Sequence, residues 1–367
     1  MRILHVITTL DVGGAEMHVL AQVRGQAARG HAVRVLWLKG GGSLAQELRD
    51  AGAAWVSRAG PGLLLRSMRR ADIVHSHLLK ADALCALLSL AARRSRRLVS
   101  SKHNDERALL RPAFALAHRL LARVPARTIV LSDHVGRFFA EHGGVDAASQ
   151  RRIYYGLDAA PFEAAAPVPR AALGLEADQV VLVCVARFAP QKAHDVLLRA
   201  FARALEVRPD LRLLLVGDDP FGAGRERAET LARGLGLGER VVFAGIRRDL
   251  PALLGACDVF VLASLWEGLG LVFLEAMAAG LPVLATRVSA VPEVVVDGGT
   301  GRLVPPSDAE ALARGMLELA GDPALRARLG AAGRARVRER FALPRMIDET
   351  LEVYGEVAGA AGVADGR

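Results

Sequence analysis

Two rhythms alternate along this chain. Short apolar runs at residues 2–7, 33–38, 73–75, 97–101 and 128–131 have strand length. Between them lie stretches such as 16–29, 43–51 and 80–92, whose apolar positions recur at helical spacing. Strands alternating with helices predict parallel sheets covered on both faces. After residue 158 the rhythm breaks in AAPFEAAAPVPRAALG, whose three prolines and many alanines read as a linker. It resumes with QVVLVCVARF, a continuous apolar run typical of a central parallel strand, then a loop and an amphipathic helix in APQKAHDVLLRAFARAL. Further strand patterns follow at LRLLLVGDDP, at 241–244 and at 259–263, then helical patterns to 357. The class is α/β, with one doubly wound domain over 1–165 and another over 166–345.

Composition agrees with two domains. The 367 residues are 52% hydrophobic and 24% charged, without low-complexity tracts, and only 359–367 look disordered. The three cysteines, Cys85, Cys184 and Cys257, never form C-x-x-C, so neither a disulfide framework nor a zinc site is expected. The N-terminus enters a strand pattern directly, and the longest uncharged apolar candidate, 83–92, is too short to span a bilayer. A cytoplasmic protein, soluble or peripheral at the inner membrane face, is the expectation.

Charge adds something the pattern does not. Of the net +9, residues 1–169 carry 24 Lys and Arg against 13 Asp and Glu, while 170–367 carry 24 against 26. The excess sits in Arg66, Arg69 and Arg70, in Arg93, Arg94, Arg96 and Arg97, and in LLRPAFALAHRLLARV at 109–124, where Arg111, Arg119 and Arg123 mix with Leu and Phe. This stretch predicts a helix starting near Pro112 that lies on an anionic membrane surface. Alternatively it packs its apolar side inside the domain and leaves the arginines solvated. No aromatic residues interleave with the basic clusters, so nucleic acid is not an expected partner.

The stretch with most chemistry is 258–301, DVFVLASLWEGLGLVFLEAMAAGLPVLATRVSAVPEVVVDGGTG. A strand passes through a glycine loop into a helix, leaving free N–H groups and the positive dipole end beside Gly268, Leu269, Gly270, Leu271 and Val272. Glu267 precedes the helix, and Glu275 lies one turn inside. The pair suits a ligand with phosphate at one end and hydroxyls at the other; the plain alternative is a helix cap and a solvated surface residue. Arg187 and Lys192 flank another strand-to-helix loop and can clamp a diphosphate, or simply be surface charges. Gly13 and Gly14 form a Gly-Gly turn before a helix, weak evidence for phosphate binding on its own. His75, His77 and His103 stand at predicted strand ends, where a histidine is more often a structural hydrogen-bonder than a catalyst.

The spacing Glu267-x7-Glu275 within EGLGLVFLEAMAAGLPV, with VARFAPQKAHDVLLRA around Arg187 and Lys192, resembles the signature of the retaining glycosyltransferases of family four. The resemblance runs almost end to end. It implies the GT-B fold, two Rossmann-like domains facing a central cleft, with the final helix of 346–367 crossing back to the first domain. It implies a nucleoside-diphosphate sugar donor, UDP-linked by family frequency, and transfer to a sugar or lipid-linked acceptor. Glu275 would accept from the ribose, Glu267 would hold the transferred sugar, Arg187 and Lys192 would meet the diphosphate with Gly13 and Gly14, and the nucleobase would lie by Ile246. His103 would lie next to the transferred sugar. Tyr155 departs from the usual Asn of N-G-x-D, and DERALLRPAF after His103 follows no family pattern, so the acceptor is not legible. With no Asp-x-Asp pair in the chain, neither a metal nor a cofactor is expected. A nucleotide-sugar epimerase of similar fold, or a non-catalytic basic binding protein, are the alternatives. The missing G-x-G-x-x-G disfavours a dehydrogenase.

Overall fold

The computed structural model describes all residues except 12, 93–94, 220–221 and 366–367, so Arg93 and Arg94 lie outside the described residues. The chain folds into two compact units, Met1–Gly156 with Leu343–Arg367, and Leu157–Ala342.

The first unit runs β1 (Arg2–Ile7), α1 (Gly14–Ala28), β2 (Ala32–Trp37), α2 (Ala45–Asp50), β3 (Trp55–Arg58), α3 (Pro61–Arg70), β4 (Ile73–His77), α4 (Leu79–Ala91), β5 (Leu98–Lys102), α5 (Pro112–Leu121), β6 (Arg127–Val130), α6 (Asp133–Glu141) and β7 (Gln150–Arg152). Its parallel sheet has the order β3-β2-β1-β4-β5-β6-β7. β4 and β5 are buried at every position, as strands covered on both faces must be.

The second unit runs α7 (Ala160–Ala164), β8 (Val180–Val185), α8 (His194–Val207), β9 (Leu211–Val216), α9 (Gly224–Gly234), β10 (Val241–Gly245), α10 (Leu250–Gly255), β11 (Val259–Leu262), α11 (Leu271–Ala278), β12 (Val283–Thr286), α12 (Val291–Val294), β13 (Gly301–Val304), α13 (Ala309–Gly321) and α14 (Pro323–Arg340). The sheet order is β10-β9-β8-β11-β12-β13. Asp308 and Asp322 cap α13 and α14 by accepting from Ala311 and Leu325 N–H. In each sheet the connections turn opposite ways at one place, between β1 and β4 and between β8 and β11. The crevice beyond the strands' carboxyl ends at such a switch point is where doubly wound sheets bind ligands.

α15 (Leu343–Asp365) returns to the first unit. There Gln22 Nε2 donates to Thr350 Oγ1 at 3.0 Å, and Tyr354 is fully buried.

Several local expectations change. The WVSR segment forms β3, too short to show a period in the sequence. β4 continues to His77, so His75 lies inside the strand rather than at its end. α15 extends past 357 through a stretch that looks disordered, because its alanines favour helix. The linker-like stretch carries α7 and is tied to the second unit, where Arg170 Nη2 donates to Asp258 Oδ2 at 2.8 Å. In α5 only His118 is buried and Leu116 and Leu120 are 64% and 69% exposed, while Leu109 is buried and Leu121 and Val124 pack against the core, so 109–124 packs inside the domain in part and leaves Leu116 and Leu120 bare.

Candidate active site

In the second unit, the loops after β8 and β11 flank the switch point. The first carries Lys192 at the end of a short 3-10 turn. Its ammonium donates to Glu267 Oε1 at 2.5 Å, and Ser264 Oγ donates to the same oxygen at 2.6 Å. Both charged side chains are largely buried, at 13% and 6% exposure. The loops are tied further: Gln191 Nε2 donates to Trp266 O at 2.6 Å, and Leu265 N–H donates to Gln191 O at 2.8 Å. Glu267 is therefore fixed through one oxygen, while Oε2 has no partner among the described residues and can receive a hydroxyl.

Gly270 turns the chain into α11 at φ +83°, where an added Cβ would stand 2.5 Å from the Phe273 ring. Only glycine meets both demands. The N–H groups opening α11, at Leu271 and Val272 after Gly268 and Leu269, then lie four and five residues past Glu267 and at the same sheet edge as the loop of Lys192. Glu275, one turn inside, forms no side-chain hydrogen bond or ion pair among the described residues, and burial pushes its carboxyl up to about 7. Arg187, just past β8, is exposed and forms no ion pair among the described residues. Gly217 after β9 lets two loops touch: a Cβ there would fall 1.9 Å from the Ala186 carbonyl. Ile246 follows β10 and is 63% exposed.

In the first unit Gly13 is the N-cap of α1 and Gly14 its first residue. The Glu16 carboxylate folds over this helix start, within 2.6 Å of where a Gly13 Cβ would be, and accepts from Thr9 Oγ1 at 2.7 Å. A helix start already bearing a carboxylate is a weaker anion site than the start of α11.

His103 follows β5 and belongs to a buried polar chain whose hydrogen-bond directions are fixed. Thr350 Oγ donates its one hydrogen to the Met346 carbonyl at 2.7 Å, so it accepts from Gln22 Nε2. Gln22 Oε1 accepts from Gln26 Nε2 at 2.8 Å, which leaves Gln26 Oε1 to accept from His5 Nε2–H at 2.9 Å. His5 Nδ1 must then accept from His77 Nε2–H at 2.9 Å, and His77 Nδ1 from His103 Nε2–H at 3.0 Å. His103 Nδ1 accepts from the Tyr155 hydroxyl at 2.9 Å. Burial, with Lys102 nearby, lowers His103 to about 3, so its ring stays neutral. Nitrogens of His5, His75 and His77 lie within 4.8 Å of one another, a spacing that suits a metal. Yet His75 bonds Tyr354 and Ser101 through its two nitrogens, and those of His5 and His77 are engaged as above, so a cation would have to displace hydrogen bonds.

The structure thus brings Lys192, Glu267 and an unforeseen Ser264 into direct contact, and gathers Arg187, Glu275, Ile246 and 268–272 on elements at one sheet edge. His103, Gly13 and Gly14 stand in the other unit. The signal for Ser264 was its place three residues before Glu267.

Residues 12–160 match the family described as Glycosyltransferase Family 4, and 168–336 that described as Glycosyl transferases group 1. A GDP-mannose-dependent alpha-(1-6)-phosphatidylinositol monomannoside mannosyltransferase of Mycolicibacterium smegmatis is 35% identical over 271 residues, 69% of each chain. The chain belongs to glycosyltransferase family 4. A D-inositol 3-phosphate glycosyltransferase of Streptomyces avermitilis shares 42% identity over 193 residues, 50% of this chain and 41% of that one. Two solved structures align over nearly the whole family-4 chain. Anabaena HepE, in complex with UDP, gives a TM-score of 0.84 at 25% identity over 97% of this chain and 100% of that one. Sucrose-phosphate synthase of Thermosynechococcus elongatus gives 0.81 at 26% identity over 98% and 100%. The fold is GT-B.

Proposed function

We propose that this glycosyltransferase is retaining and metal-independent, and moves a hexosyl group from a UDP-linked sugar to a hydroxyl of a lipid-linked or cell-envelope acceptor. The observation that carries the reading is the Ser264–Glu267–Lys192 contact at the switch point of the second unit. The departing diphosphate gains charge as the anomeric C–O bond breaks. Lys192, Arg187 and the N–H groups at the start of α11 offset it without a cation, each preorganised donor contributing roughly 3–4 kcal/mol to the barrier. Glu267 Oε2 holds hydroxyls of the transferred sugar, and Glu275 accepts from the ribose. The acceptor oxygen attacks the face from which the diphosphate leaves, its proton passes to a donor phosphate oxygen, and the anomeric configuration is kept. A nucleophilic role for Glu267 is disfavoured because Lys192 and Ser264 hold it. Support for UDP comes from the likeness to HepE, whose structure contains UDP; the M. smegmatis relative is named for GDP-mannose.

The acceptor reading extends to a membrane surface. No helix among the described residues is long and apolar enough to cross a membrane. Exposed Leu110, Leu116 and Leu120 nevertheless stand among exposed Arg111, Arg119 and Arg123, the composition of a helix lying at an anionic interface. Thermal-shift screening of UDP-, GDP- and ADP-sugars identifies the donor, since ligands that bind the folded state raise its apparent stability. Donor hydrolysis and transfer in excess EDTA, with NMR of the product anomer, tests the chemistry. An inverted anomer, activity that needs Mg²⁺, or isomerisation of the donor alone would each overturn it.

A further inference from the structure

Helix α5 is apolar on two sides: one is bare, and the other meets the core at Leu121. Leu116 and Leu120 point to solvent, whereas Phe114, Ala117 and Leu121, spaced three and four apart, form a second face that lines a cavity of about 540 Å³. Leu79 and Ala83 of α4 and Leu109 supply other apolar walls. Six of the eleven exposed large hydrophobic residues among those described, Leu87, Leu90, Leu110, Phe114, Leu116 and Leu120, fall on or beside these two helices. Phe114 belongs to both sets, so the cavity opens onto the exposed apolar surface.

Besides the exposed Lys39 and Lys80, two polar groups lining the cavity lack partners among the described residues. Ser100 Oγ is fully buried and makes no hydrogen bond, and the Glu106 carboxyl makes none either. Lys102, also lining it, is committed: it donates to Asp82 Oδ2 at 2.6 Å and faces His118 Nε2 at 3.5 Å, whose Nδ1–H goes to the Gly143 carbonyl. An apolar chamber with an unmet hydroxyl and an unmet carboxylate fits a ligand with a hydrocarbon body and a hydroxylated end. Glu106 is three residues from His103, hence within about 11 Å along the chain.

We propose that this cavity binds the alkyl or acyl portion of the acceptor, with an adjacent hydroxyl meeting Glu106 and Ser100. This rests on reading the first unit as the acceptor's, and it specifies the acceptor as amphipathic. The probe is n-octyl β-D-glucopyranoside below its micelle concentration, compared with methyl β-D-glucopyranoside by calorimetry and saturation-transfer NMR. Burying each methylene is worth roughly fourfold in affinity, so half the chain entering gives on the order of 10²-fold preference for the octyl compound. Ala117→Trp fills the chamber and lowers octyl affinity at least about tenfold, while the thermal shift given by UDP is unchanged. If that variant does not fold, Ala83→Leu narrows the facing wall instead. Equal binding of the two glucosides, or unchanged octyl affinity in a folded filled variant, overturns the proposal. Octyl binding that responds to Ala117→Trp supports it even if no donor is turned over, an outcome that would sink the transferase chemistry alone.

Discussion

Acid should unfold the first unit before the second. His5 and His103 are held neutral by burial, at about 4 and about 3, and burial lowers His18, His75 and His77 well below their ordinary value. Unfolded, each ring regains a pKa of roughly 6.5 and takes up a proton that the folded state refuses, so falling pH favours unfolding. Between about pH 7.5 and 5.5 this costs about 1.4 kcal/mol per ring, or about 7 kcal/mol for five, comparable with the roughly 5–15 kcal/mol of a whole domain. The second unit carries one such ring, His194, lowered to about 4, and its loss of about 1.4 kcal/mol is offset by Glu275, raised by burial to about 7, which takes up its proton in the folded state over the same window. Carboxylates held down by arginines, such as Asp72 and Asp210, lose their contribution only nearer pH 4 and do not blur the comparison. Calorimetry at the two pH values, with hydrogen exchange resolved by peptide, measures each unit separately. If the first unit's unfolding free energy falls no more than the second's, the rings are not held neutral and the hydrogen-bond directions assigned to them are wrong.

Lys192→Ala and Arg187→Ala should each lower turnover roughly 10²-fold to 10³-fold with folding intact; near-wild-type turnover in both purified proteins would remove them from the site. Glu275 must be ionised to accept from two hydroxyls, so donor KM should rise as pH falls through about 7, up to tenfold per unit. Glu275→Gln should flatten that profile, and an unchanged slope would show that another group titrates. Vesicle co-sedimentation at low salt should favour anionic over neutral lipid, with each engaged arginine worth on the order of 1 kcal/mol. Leu116→Asp with Leu120→Asp should abolish it, and equal, negligible binding of the wild type to both vesicles would reject the membrane surface.

The doubly wound pattern was legible because buried parallel strands are continuously apolar: QVVLVCV announces β8, and two glycines before LVFLEAMA announce the turn into α11. Motif spacing also pointed to Lys192 and Glu267, but not to the contact of these residues 75 apart in sequence, since that depends on β8 and β11 being sheet neighbours. The polar chain was hidden for a related reason. His5 sits in a run that reads as plain apolar strand, and it meets the other rings only through the register that sets His5 beside His75 and Ile7 beside His77. A trace did exist. Gln22 and Gln26, like Thr350 and Tyr354, are polar residues four apart on otherwise apolar helix faces, a sign that two buried faces share hydrogen bonds. Exposure of α5 was not legible, because apolar composition alone cannot tell a packed helix from a bare one.

The return of α15 to the first unit imposes an order on biosynthesis. Ile347, Val353 and Tyr354 are fully buried there, and the donor chain that runs from Tyr155 through His103 ends at Thr350 and the Met346 carbonyl. A ribosome finishes residue 156 well before it reaches 343, and at about 5–20 residues per second the gap lasts roughly 10–40 s. Throughout that interval the nascent first unit lacks its last helix, and the groove for Tyr354 stands open while the second unit can already complete its own sheet. Chaperone capture during translation should therefore concentrate on the half of the protein that is made first.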